Sequence, residues 1–313
     1  MLRNRTLLGL LVVVGLAAAA CGGGDAGGDT TAAPETTAAP ETTQATEAPD
    51  TTAAPETTMA TNPCGPDGLA TVQPGVLTVA TGEPAFPPWV IDDDPTNGQG
   101  FESAVTYAVA DYLGYGADQV TWIRTGFDDA IAPGPKDFDF NIQQYSITAD
   151  RDEVVDFSVP YYTTNQALVA YGDSAVAGAA SVGDLTGAKL GAQVGTTSFD
   201  YIELVIQPET PAAAYDTNAD AKLALDAKQI DGLVFDLPTA FYITAVEIPE
   251  ASIVGVFDVS PDQADNFGLL MADGSPVKAC VDEALEALRA DGTLDALAAE
   301  WIVTGSELTT IAP

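Results

Sequence analysis

The chain has 313 residues, of which 46 are acidic and 10 basic; it carries a formal charge of −36 at pH 7 and contains no histidine. Such a charge repels nucleic acid and anionic lipid surfaces, so neither is expected as a partner. The missing histidine removes Ser–His nucleophiles, His–metal centres and the commonest general base, and points away from an enzyme and from a metal or other cofactor.

Arg3 and Arg5 precede an apolar run, Leu7 to Ala20. That run has the length of a signal peptide and is too short to span a membrane as a helix. It ends in four alanines before Cys21 and Gly22, which resembles a lipobox and gives residues 1–20 as a signal peptide and Cys21 as the lipidation site. An ordinary cleavage that leaves Cys21 as a free thiol is the alternative. Removing residues 1–20 takes away two arginines and no acid, so 8 basic against 46 acidic residues give the mature chain a charge of −38.

Residues 21–62 repeat Thr-Thr-Ala-Ala-Pro-Glu at 30–35, 36–41 and 51–56. Nothing there can bury a core, and the stretch reads as a solvated tether. As a random coil it spans roughly 35 Å. The remaining 250 or so residues suit two lobes better than one core. Cys64 and Cys280 are left as an even pair in an oxidising compartment, to be bonded to each other or buried as free thiols.

Strands and helices then alternate. Strands are expected at Val76–Ala80, Gln119–Arg124, Asp137–Ile142, Gln166–Tyr171, Lys189–Gln193, Asp231–Phe235 and Asn266–Met271. Helices are expected at Gly100–Leu113, Gly126–Ala132, Ser198–Ile206, Asn218–Gln229 with Asn218 as cap, Thr239–Glu247, Val277–Leu288 and Thr293–Ile302. The alternation predicts an α/β fold with mainly parallel sheets, whose ligands sit beyond the carboxyl ends of strands.

Four strand ends carry side chains worth following. Phe86 and Trp89 form either an aromatic platform held by neighbouring prolines or part of the core. Arg151, in a first helical turn after Thr148, gains nothing from the helix dipole. It is either a bidentate carboxylate clamp or the partner of an internal acid. Gly195, Thr196 and Thr197 open a helix as an anion seat or a simple N-cap. Asp236 before Pro238 caps the next helix or receives an ammonium group. Together they complement a free α-amino acid. Acid pairs elsewhere carry no argument, because carboxylates are so common here that neighbours arise by chance.

The ordered segments SITADRDEVVDFSVPYY, LGAQVGTTSFDYIE, QIDGLVFDLPTAFY and FGLLMADGSPVKACVDEALEALRADGTLDALAAEWI resemble the solute-binding proteins of ABC transporters for polar amino acids, family 3, over about residues 74 to 303. The chain also resembles lipid-anchored actinobacterial members, which have paired cysteines near the positions of Cys64 and Cys280. The resemblance implies a two-lobed Venus-flytrap fold, periplasmic-binding-protein-like of type II. Lobe 1 would be 63–164 plus 259–313 and lobe 2 would be 165–258. Hinge strands would lie near Thr164–Gln166 and Val256–Asp258.

It also implies roles. Arg151 would clamp the ligand carboxylate with Ser146 beside it, and Thr197 would seat the same group from lobe 2. Asp236 would take the α-ammonium. Phe86 and Trp89 would be the platform, Phe127 a second wall, and Glu83 would reach the ligand side chain. Gln143 and Gln144 depart from the small residues usual at their positions, and bear on which side chain is accepted. The implied protein is a monomer, anchored through its lipid on the extracytoplasmic face. It would pass a free amino acid, cationic or neutral polar, to a membrane permease. The alternatives are an arogenate/prephenate-type dehydratase on the same fold, a sensor without permease, and a binder of a compatible solute such as ectoine.

Overall fold

The computed structural model describes residues 62–261, 263–302 and 308–313. The signal peptide, the tether and Cys21 lie outside these residues. In chain order the elements begin with β1 (Leu77–Thr81), α1 (Phe101–Leu113), β2 (Val120–Arg124), α2 (Phe127–Ile131), β3 (Phe140–Asn141), α3 (Ala149–Asp152) and β4 (Val155–Phe157). There follow β5 (Tyr162–Thr164), β6 (Gln166–Tyr171), β7 (Leu190–Gln193), α4 (Thr197–Asp200), β8 (Ala213–Tyr215), α5 (Asn218–Asp226) and β9 (Gly232–Asp236). The last are α6 (Leu237–Tyr242), β10 (Ala251–Phe257), β11 (Asp265–Phe267), β12 (Leu270–Ala272), α7 (Lys278–Ala290), α8 (Thr293–Trp301) and β13 (Thr310–Ile311).

Two sheets organise the chain. The first has the order β2-β1-β3-β12-β4 and the second β13-β10-β6-β9-β7-β8. Each is mixed: β1–β2, β1–β3, β7–β8, β7–β9 and β10–β13 pair in parallel, whereas β12–β3, β12–β4, β6–β9 and β6–β10 are antiparallel. The expectation of mainly parallel sheets is therefore corrected. The crossings into β6 and out of β10 each deliver a strand, β6 and β12, that runs against its neighbours.

Alternate packing surfaces explain the elements. In α1, Phe101, Val105, Val109 and Leu113 are fully buried and meet Val281 and Leu285 of α7 over the first sheet. Tyr112 is exposed, and its hydroxyl donates to Glu283. In the second sheet every residue of β6 from Gln166 to Ala170 is buried, because helices cover both faces.

Around Thr164–Gln166 the chain passes from β5, paired with β11, to β6 of the second sheet. The return runs from β10 to β11. The carboxyl end differs from the expectation. β13 pairs with β10, and Ala312 bridges Ser181, so residues 308–313 belong to lobe 2 and not to lobe 1. The strand expected at Asn266–Met271 is two strands, split at Gly268, and that expected at Asp137–Ile142 shortens to β3. Thr217, rather than Asn218, caps α5, accepting from the Asp220 amide at 3.1 Å.

Cys64 and Cys280 are disulfide-bonded across a sequence separation of 216, joining the first described residues to α7 beside the lobe 1 core. A loop of that length makes the bond a large constraint on the unfolded chain. The Cys64→Ser/Cys280→Ser protein should lose about 2–4 kcal/mol in urea denaturation. An unchanged midpoint would show that the bond contributes nothing.

Candidate functional site

The carboxyl ends of β1, β3, β7 and β9 converge on one cavity of about 470 Å³ between the two sheets. Its described lining includes Glu83, Phe86, Phe127, Gln143, Gln144, Ser146 and Arg151 from lobe 1, with Thr196, Thr197 and Asp236 from lobe 2. Arg151 is the one cation among the described lining residues, facing the acids Glu83, Asp128, Asp129, Asp216 and Asp236.

Arg151 owes its position to Thr148, whose side chain caps α3 by accepting from the Arg151 amide at 3.3 Å. Arg151 is 8 % exposed. Its guanidinium donates to the carbonyl of Ser146 at 2.6 Å and, across the cleft, to the carbonyl of Gly195 at 2.8 Å. Its plane lies over Phe127, with Cζ 5.5 Å from the ring centroid, and Phe127 stacks on Tyr145 at 4.6 Å. Among the described residues no carboxylate forms an ion pair with it. Burial lowers its pKa, while the charges of Asp200, Asp265 and Asp128 and the hydroxyl of Tyr145 act in the opposite sense. A buried cation held only by neutral carbonyls is costly unless an anion completes it.

Asp236 ends β9 and caps α6, its Oδ1 accepting from the Thr239 amide at 2.9 Å. Asp236 thus caps α6 and lines the cavity as well. Burial raises its pKa to about 6, against the bonds from Thr239 that lower it. No basic side chain among the described residues pairs with it.

Ser146 Oγ meets Thr197 Oγ1 at 3.1 Å across the cleft. Thr196 caps α4, accepting from the Phe199 amide at 3.2 Å. Gly195 is not in the described lining; it enters the site through its carbonyl on Arg151, whereas the sequence suggested an amide seat for an anion. Its φ of 76° is left-handed, and a Cβ there would come within 2.6 Å of an Asp128 carboxylate oxygen, so the two lobes nearly touch at this turn.

The two candidate platform rings separate. Phe86 lines the cavity and is 39 % exposed. Trp89 does not line it and is 2 % exposed, packed against Phe101, Tyr162 and Phe267 with centroids 5.8–6.1 Å apart. The platform reading of Trp89 is corrected to a core one. A ring flanked by three others has no free face, and only its Nε1 reaches outward, to Thr239 Oγ1 of lobe 2 at 3.2 Å. Phe235 and Phe267 supply further apolar surface in the cavity lining.

Both glutamines are held by internal bonds. Gln143 Oε1 accepts from the Tyr145 hydroxyl at 3.0 Å. Gln144 has a left-handed backbone, φ 50°, and its amide donates to Glu102 Oε1 at 2.8 Å. Its Nε2 donates to Glu102 Oε2. Glu102 is fully buried and also accepts from the Tyr161 hydroxyl. Sequence reasoning passed over Glu102, although it lies one turn before Val105 on the buried stripe of α1, and an acid on such a stripe is the available signal. It also passed over Gln166, which accepts from Ser198 at 2.6 Å and donates to Asp265 at 2.7 Å behind Thr197. No helix among the described residues is long and apolar enough to cross a membrane.

Comparison with known proteins agrees with this architecture. The L-cystine-binding protein TcyJ of Escherichia coli is 27 % identical over 237 residues, covering 75 % of this chain and 85 % of that protein. ABC transporter arginine-binding protein 1 of Escherichia coli is 30 % identical over 188 residues, covering 58 % and 74 %. An ancestral arginine-binding protein bound to arginine superposes with a TM-score of 0.60 at 29 % identity, covering 72 % of this chain and 97 % of that one. Residues 77–304 match the family model for bacterial extracellular solute-binding proteins, family 3, and the chain belongs to that family.

Proposed function

We propose that the protein captures one free amino acid between its lobes and delivers it to an ABC permease, without chemistry on the ligand. The observation that carries this reading is the buried Arg151, without a carboxylate partner among the described residues, on the same cavity as an equally unpaired Asp236. A zwitterion supplies both missing charges at once. Arg151 takes the α-carboxylate beside Ser146 and Thr197, and Asp236 takes the α-ammonium. Phe86 and Phe127 flank the aliphatic part. Each charge-assisted bond contributes roughly 1.5–3 kcal/mol, and about 8 kcal/mol suffices for micromolar affinity.

Glu83, Asp128, Asp129 and Asp216 surround the remainder of the cavity, and their charge favours a cationic side chain. The arginine-binding relatives point the same way. Cys21 would carry the lipid that holds the protein at the outer membrane surface, with residues 21–62 as its tether. A thermal-shift screen of the purified protein against the twenty amino acids and ectoine tests the reading. L-arginine or L-lysine should raise the melting temperature most, by mass action. A shift by ectoine alone, or by nothing in the panel, would refute amino-acid capture.

A further inference from the structure

The cavity wall at Gln144 is set from behind. Glu102 sits in the first turn of α1, whose N-cap is Gly100 with φ 95°; a Cβ at Gly100 would meet the Trp89 carbonyl at 2.5 Å, so the helix start is fixed against that loop. From there the carboxylate takes both donors of one residue, the backbone N–H and the Nε2 of Gln144. Gln144 lines the cavity, and its Oε1 has no hydrogen-bond partner among the described residues. A side-chain amide has two nearly identical ends of opposite polarity, and the one that is bonded inward decides which is left for a ligand.

We propose that Glu102 is a positioning residue that chooses which end of the Gln144 amide the cavity offers: the carbonyl oxygen while Glu102 is ionised, the amide nitrogen when Glu102 carries a proton. This rests on the reading of the cavity as an amino-acid site.

The bonding leaves little choice. Glu102 Oε1 accepts from the Gln144 backbone N–H and from the Tyr161 hydroxyl, whereas Oε2 accepts, among the described residues, only from Gln144 Nε2. A backbone N–H cannot become an acceptor, so a proton on Oε1 would face a donor that cannot turn away. A proton on Oε2 would face Nε2, and that conflict is relieved by a half-turn of the amide. Oε1 of Gln144 then accepts from Glu102, and Nε2 takes the outward place with no change of shape. An ionised Glu102 thus presents an acceptor, suited to a guanidinium or ammonium. A protonated one presents a donor.

The switch falls in an accessible range. Burial raises Glu102 from 4.5 to about 7, against the bonds from Tyr161 and Gln144, with the charge of Asp236 adding to the rise. Tyr161 and Asp236 are the titratable groups that act on it. Tyr161 is raised well above the usual phenol value and keeps its proton throughout. Asp236 ionises lower, near 6.

The test has a ligand-free arm and a ligand arm. The side-chain NH₂ resonances of Gln144 in the full protein, assigned by their loss in Gln144→Ala, are followed by NMR from pH 5.5 to 8.5. They should move with a midpoint near 7, stay flat in Glu102→Gln, and still titrate, with a lower midpoint, in Asp236→Asn. Resonances that ignore pH in the wild type, or titrate unchanged in Glu102→Gln, would overturn the proposal.

In the second arm, calorimetry at pH 8 compares L-arginine with L-glutamine. Glu102→Gln should weaken L-arginine at least about tenfold, because its donors now meet a donor. L-glutamine, which can present either end of its own amide, should change less than threefold. Equal losses for both ligands would mark Glu102 as merely structural and overturn the specificity role. If the Gln144 resonances titrate as expected but the wild type binds no amino acid, the amide switch stands and the amino-acid reading falls.

Discussion

Arg151→Met is expected to abolish amino-acid binding while leaving the protein folded. The guanidinium is buried against the Phe127 ring and bonded only to the carbonyls of Ser146 and Gly195, so its charge has no ion-pair partner among the described residues. A carboxylate arriving in the cavity gains a desolvated, charge-assisted pair. Removing one partner of such a pair costs about 2–5 kcal/mol, or a loss of roughly 30- to 5,000-fold in affinity. Methionine fills the volume left on Phe127, and water in the cavity can satisfy the two freed carbonyls. Stability should therefore change by less than about 1.5 kcal/mol. Arg151→Lys retains the charge but loses the planar fork, and should fall between wild type and Arg151→Met. Calorimetry with the best amino acid from the screen, beside urea denaturation of each variant, separates binding from folding. Wild-type affinity in Arg151→Met would remove the clamp altogether.

What could be read in the sequence and what could not follow from different physics. The loops after β1, β3, β7 and β9 were legible because turn residues end each apolar run, and α/β sheets place ligands at those ends. Arg151 stood out because a guanidinium in a first helical turn has no local reason to be there. Asp236 was legible as a cap, and its Oδ1 accepts from the Thr239 amide as a cap does.

Phe86 and Trp89 could not be told apart. They lie three residues apart in one proline-rich loop, and only the three-dimensional arrangement of Phe101, Tyr162 and Phe267 decides that Trp89 is enclosed. The placing of residues 259–313 wholly in lobe 1 misses β13, whose two residues carry no pattern of their own; pairing with β10, 54 residues earlier at Val256–Thr310, defines them. The Glu102–Gln144 clasp spans 42 residues, and no local spacing foretells it. Local chemistry thus announced charged groups that line the cavity, while the residues that hold them in place are products of tertiary packing.

Acidification should move stability and binding in opposite directions. Glu102 and Asp236 both have raised pKa values, about 7 from 4.5 and about 6 from 3.8, in each case chiefly through burial. A carboxyl group whose folded pKa is raised keeps its proton in the folded protein where the unfolded chain has already released it. Its stabilising contribution is complete below the ordinary carboxylate range and is lost as pH rises through about 6 to 7. At 1.36 kcal/mol per tenfold change in proton affinity, each group can account for about 3 kcal/mol between pH 4 and pH 8. The ligand-free protein should therefore unfold at clearly higher urea concentration at pH 5 than at pH 8.

Binding needs the ionised form of Asp236 to receive an ammonium group, so affinity should fall about tenfold between pH 7 and pH 5. The melting temperature of the free protein then rises on acidification while the increment added by the ligand shrinks. The large negative charge of the chain also relaxes in acid, which gives a background slope unrelated to these two groups. Asp236→Asn separates the contributions: it should flatten the stability profile near pH 6, leave the Glu102 part with a midpoint below its wild-type position, and remove most of the binding. A wild-type stability that rises with pH across this interval, or a ligand increment independent of pH, would show that neither carboxylate carries the raised affinity for protons on which the argument depends.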